Sequence, residues 1–267
     1  MSAVPVLSMV GMVCSLILSV AVPIVLLVLL KKRTNARLSS AAFGAGTFIV
    51  FALLLEGLLH RLMLAVFGER LTGNVWLYAL YGGLAAGLFE ESGRYLTMKF
   101  LMKRQLDSNN ALMFGVGHGG IEAILVIGLT GLSNLAASLM INSGAMEASL
   151  SALDEATRAT TEAQLAALGA TPSGMFFLGG VERLIALALH IALSYLVYRA
   201  VKGGRPSLWL LAVAIHAGID ATVVLLAQWI SPLWVELVLC VLVALLWVWV
   251  WPQLRAEEPS PPPDDGT

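Results

Sequence analysis

Leu88-Phe89-Glu90-Glu91-Ser92-Gly93-Arg94-Tyr95 packs two carboxylates and a guanidinium into five consecutive positions. The flanks are apolar, with no charge from Val75 to Leu88 and none between Arg94 and Lys99. One charge at the centre of a bilayer costs several kcal/mol, with values from roughly 2.5 to above 10. If the segment crosses a membrane, these three groups need partners around them, so the first question is whether the chain is a membrane protein.

Composition answers it. Of 267 residues, 58% are hydrophobic and 12% charged, and the mean hydropathy is +0.85, too apolar for a soluble globular domain. A net charge of -1 and the lack of any extended basic cluster argue against nucleic acid as a partner. Cys14 and Cys240 lie far apart in apolar segments and read as core residues, with no disulfide framework. The first apolar run has no basic stretch before it, is too long for a signal sequence, and is followed by Lys31-Lys32-Arg33; it reads as a retained anchor.

At about 20 apolar residues per crossing, seven spans are expected: 6–30, 40–67, 74–101, 110–141, 174–200, 207–230 and 232–251. The fold class is therefore all-α, a polytopic transmembrane helix bundle forming one domain over 1–251. Lys31, Lys32, Arg33 and Arg37 follow span one, Lys99, Lys103 and Arg104 follow span three, and Arg199, Lys202 and Arg205 follow span five. The alternate loops hold little more than Arg70 and Arg158. The positive-inside rule then sets the N-terminus outside and the C-terminus in the cytoplasm. The one sizeable loop, 142–173, is extracytoplasmic on this topology and suits a short solvated helix ended by Pro172. The Pro-rich stretch 252–267 reads as a disordered cytoplasmic tail.

The polar residues inside the spans share a depth. At a rise of 1.5 Å per residue, Glu90 lies about 13 Å from the cytoplasmic face, His118 about 12 Å, and His190 and His216 about 13 Å. The acidic pair and three of the four histidines thus meet one level on four helices, which points to a single polar site in the cytoplasmic half. Glu90 and Arg94 are one turn apart, so Arg94 can hold one carboxylate, while Glu91 points about 100° away from Glu90. His118-x-x-x-Glu122 and His216-x-x-x-Asp220 each place a histidine and an acid on one helical face. Glycines cluster around these groups, which lets helices approach closely. Nearer the outer face, Glu56, His60, Glu182 and Arg183 read as a structural ion-pair network tying spans two and five.

A carboxylate and two histidines at one level can activate water, with a divalent metal or by direct general-base action. That makes a hydrolase the leading class. Buried Glu, Asp and His serve equally in a transporter or proton relay, although no inverted repeat is visible. A non-catalytic binding or immunity protein is the third alternative.

Taken in order, Glu90-Glu91-x-x-Arg94, Phe114-x-x-x-His118 and His216-x-x-x-Asp220 resemble the three motifs of the CAAX-protease and bacteriocin-processing clan of intramembrane proteases. Glu-Glu-Ser-Gly-Arg-Tyr, Gly-His-Gly-Gly-Ile-Glu-Ala and Glu182-Arg183 with His190 are more similar still to the YhfC-type branch. Arg94 lies three residues after the second glutamate, where the CAAX enzymes place their arginine four after. That spacing is nearer to the PrsW and YhfC branches, so no prenyl-protein substrate is carried over.

The resemblance implies a multi-pass endopeptidase of a bacterial plasma membrane, in contact with lipid and acting on a peptide or membrane protein. By it Glu90 activates water with His118, while Glu91 and Arg94 orient the site. His216 and Asp220 complete it, as ligands of a metal shared with Glu90 and His118 or by stabilising the oxyanion. Glu122 supports His118, with His190, Glu182 and Arg183 in supporting places. Zinc is the expected metal for such N/O ligands, with a metal-free glutamate mechanism as the alternative.

Overall fold

The computed structural model describes residues 2–257, and among them every regular element is helical. The long helices are α1 (Val6–Arg33), α2 (Leu38–Phe67), α3 (Val75–Leu96, extended by a wider π turn over Thr97–Leu101) and α4 (Ser108–Ser143). Two shorter helices follow, α5 (Ala145–Ser151) and α6 (Glu155–Ala170). The chain closes with α7 (Ser173–Lys202), α8 (Pro206–Leu226) and α9 (Pro232–Glu257). Six of these, α1, α2, α4, α7, α8 and α9, are long and apolar enough to cross a membrane. The expected third span, α3, is a continuous helix in the middle of the bundle, yet its charges leave it too polar for that criterion. The expected tail falls partly within α9, which is helical to Glu257; the remainder lies outside the described residues.

Local chemistry fixes the helix ends. The Asn74 side chain accepts hydrogen bonds from the amides of Trp76 and Leu77, each at 3.1 Å, and starts α3. Asp107 caps α4 through the Asn110 amide at 2.9 Å. Asn110 in turn accepts from the Arg37 amide (2.8 Å) and the Ser40 hydroxyl (2.7 Å), pinning the start of α2 to that of α4. Pro206 opens α8 at a position where its missing N–H costs nothing. The loop expected to hold one short helix holds two, with Pro172 standing just before α7.

Helix contact is closest where glycine allows it. A Cβ on Gly87 would stand 2.7 Å from the Val213 carbonyl oxygen, and one on Gly83 would run into that of Ala217, so α3 and α8 meet backbone to backbone. Gly44 on α2 and Gly117 on α4 do the same for that pair. The apolar core fills the end of the bundle that carries the basic residues, with Met98, Phe114, Leu193, Tyr195 and Leu196 all buried. Cys14 and Cys240 are unpaired.

Candidate active site and metal centre

Arg94 is the hub. Its side chain has no exposure at all, and it donates from Nη1 to Glu91 Oε1 and from Nη2 to both Glu90 Oε2 (3.1 Å) and His190 Nδ1 (2.6 Å). The single-carboxylate role expected for Arg94 is therefore corrected, because a guanidinium fork one turn below two adjacent acids can reach both. A buried arginine with two carboxylates is held by mutual attraction only while every member stays in place.

The two glutamates do different work. Glu91 is sealed, its Oε1 accepting from Arg94 and from His216 Nδ1 at 2.8 Å. Glu90 lines a cavity of about 340 Å³. Its Oε2 accepts from Arg94 and from His118 Nε2 at 2.8 Å, while Oε1 takes no hydrogen bond from a described residue. His118 is buried between the rings of Phe48 and Phe114 at centroid distances of 5.3 and 6.2 Å, so its orientation is fixed by packing.

His190 and His216 complete the level from α7 and α8, their ring centroids 5.5 Å apart. Each histidine has a carboxylate on one nitrogen. Glu122 pairs with His190 Nε2, and Glu91 with His216 Nδ1. Glu122 was expected to steady His118 on its own helix. The structure turns it towards α7 instead, where it also accepts from Arg183 Nη1 at 2.7 Å. Sharing a helical face with His118 did not bring Glu122 into contact with it.

Asp220 sits farther up the cavity wall, its Oδ2 3.6 Å from His216 Nε2 and its side chain 37% exposed. Glu182 bonds Arg183 and lines the same cavity. The expected network between spans two and five resolves into two separate pairs. Glu56 bonds His60 (3.0 Å), which reaches Tyr81 on α3 (2.7 Å); Arg183 ties α7 to Glu122 on α4. Both pairs turn a carboxylate towards the cavity.

Glu90, His190 and His216 each offer a ligand atom within 4.8 Å of the others, all three residues buried. A carboxylate behind a ligating histidine fixes its tautomer and raises its basicity, and both histidines here have one. The donor set of two imidazoles and a carboxylate suits a divalent ion of the zinc type. His216 Nε2 and Glu90 Oε1 are free for that purpose, whereas Arg94 occupies His190 Nδ1. A cation at His190 would have to displace Arg94 from that one lone pair. Among the described residues this is the one trio so arranged. It includes His190 rather than His118 or Asp220; the equal depth of His190 and His216 was the sequence signal for it.

A model of the YhfC intramembrane metalloprotease family matches residues 18–241. The chain is 43% identical over 206 residues to the uncharacterized membrane protein YhfC of Bacillus subtilis (strain 168), covering 76% of this chain and 79% of that one. No solved structure matches. With a helical membrane bundle, a buried Glu/His/His group and a match over most of its length, the chain belongs to the YhfC intramembrane metalloprotease family.

Proposed function

We propose that the protein is an intramembrane endopeptidase of a bacterial plasma membrane, cutting peptide bonds at the level of Glu90. The observation that carries this reading is the trio Glu90, His190 and His216, with a carboxylate backing each histidine. Glu90 lines the cavity, and its Oε1, which takes no hydrogen bond from a described residue, accepts the proton of the attacking water and then returns it to the leaving amine. Arg94 and His118 fix the other oxygen, so Glu90 cannot swing away from its water. Glu91 acts from behind, holding His216 with its Nε2 towards the cavity. His190 and His216 would hold a zinc-type ion beside Glu90, whose Oε1 then serves as base and not as ligand; such an ion would lower the pKa of a bound water and polarise the scissile carbonyl. Asp220 stands ready on the wall above to steady the same water or the leaving group.

The test pairs metal content with turnover. Purified wild type should carry close to one zinc per chain, and a His190→Ala/His216→Ala variant should lose it. Glu90→Gln should abolish cleavage of a membrane peptide library while the protein still purifies as a folded species. Cleavage by Glu90→Gln at the wild-type rate would rule out the peptidase assignment.

A further inference from the structure

The cavity has a direction. On α3 its lining residues are Gly82, Gly83, Ala86 and Glu90, and none beyond Glu90. On α7 they run from Glu182 to His190 and stop there; on α8 they begin at His216 and continue to Val224. Helices α3 and α7 run towards the basic end of the bundle and α8 away from it, so all three agree. Among the described residues, none on the basic side of the Glu90/His190/His216 level touches the cavity. Glu56, Glu122 and Leu239 add walls on the same far side.

Exposure follows the same axis. Asp220 and Glu182 are 37% and 31% exposed, Glu90 8% and His216 3%. Below them Phe114, Met98, Leu193 and Tyr195 form a solid apolar floor with at most 1% exposure. The histidine–carboxylate level is thus the bottom of a well whose mouth lies opposite Lys31, Lys32, Arg33, Lys99, Arg199 and Lys202. Basic residues flanking membrane helices mark the cytoplasmic face.

We infer that the site is entered from the extracytoplasmic side, although it lies in the cytoplasmic half of the bundle, and that its substrate is a polypeptide presented at the outer surface of the membrane. A peptide in the cytoplasm meets the closed floor. The side of entry stands on the cavity and the charge pattern; the polypeptide nature of what enters rests on the peptidase reading.

Cysteine accessibility tests it on the full-length protein in cells. In a Cys14→Ser/Cys240→Ser background, Gly82→Cys and Val224→Cys mark the mouth and Lys202→Cys marks the basic end. A side chain at Gly82 meets nothing within 4 Å, so the substitution is tolerated. The membrane-impermeant reagent is a charged methanethiosulfonate. Added to intact spheroplasts it should modify Gly82→Cys and Val224→Cys within minutes, and Lys202→Cys only after permeabilisation. Mouth cysteines that react only after permeabilisation, or on neither side while Lys202→Cys reacts, overturn the inference; so does Lys202→Cys reacting in intact cells. Because labelling needs no turnover, outer labelling without proteolysis would count against the peptidase reading alone.

Discussion

Replacing Gly87 by alanine should loosen the site without touching any of its side chains. Gly87 lies one turn before Glu91 on the face of α3 that meets α8. A Cβ there would stand 2.7 Å from the Val213 carbonyl oxygen, 3.1 Å from the Ala217 amide and 3.2 Å from the Ala217 Cβ. Ordinary contact begins at 3.4 Å, so α8 must retreat by about 0.7 Å because close-packed backbone has no slack to give. His216 rides on α8, and its 2.8 Å bond to Glu91 would stretch to about 3.5 Å, the limit of a hydrogen bond. Overpacking of this kind costs roughly 1–3 kcal/mol. Loss of the carboxylate behind a ligating histidine costs about 10–100-fold in metal affinity. Gly82→Ala is the control, five residues earlier in open space, with the same gain in helix propensity. Thermal unfolding in detergent and zinc titration of the two variants give both quantities. Equal stability and equal zinc affinity in Gly87→Ala and Gly82→Ala would refute the claim that the α3–α8 approach sets the geometry of the site.

Three further outcomes are expected. Arg94→Met leaves Glu90 and Glu91 buried without their shared cation and should destabilise the protein by about 3–5 kcal/mol, read by unfolding in denaturing detergent. Glu122→Gln should keep the fold but weaken zinc binding by about 10–100-fold through His190, measured by competition with a chelating dye. Outside the membrane, hydrogen bonds from Thr157 hold the Asp154 carboxyl below its ordinary value of 3.8, so ionised Asp154 stabilises the start of α6 above that pH. The contribution disappears as pH falls through the lowered value, and Asp154→Ala should lose it at every pH, seen as faster hydrogen exchange at Thr157 and Arg158.

Depth was legible in the sequence because a helix rises by a fixed amount per residue and the basic residues mark one end. That arithmetic put Glu90, His118, His190 and His216 on one level, and the structure joins them there. Azimuth was not legible. Four-residue spacing shows that His118 and Glu122 share a face, yet His118 bonds Glu90 and Glu122 bonds His190 and Arg183. The same limit hid the reach of Arg94 to both carboxylates and the split of the outer polar residues into two pairs. Wide π turns over Phe48–Glu56 and Ile124–Gly128 add to the difficulty, since they shift the angular phase that a regular helix would predict.

The polarity that keeps α3 off the roster of membrane-crossing helices has a consequence in time. A helix emerging from the ribosome is sorted into lipid by its own hydrophobicity, and α3 carries Glu90, Glu91 and Arg94. Its closest neighbour, α8, begins more than a hundred residues later in synthesis, roughly 5–20 s at usual elongation rates. At first the segment has only α1, α2 and its own internal ion pairs for company; His118 on α4 joins next, and His190 on α7 only shortly before α8. The nascent chain would hold the acidic half of its polar site at the edge of the insertion machinery until α7 and α8 arrive, and the site would come into being at the same moment as the bundle.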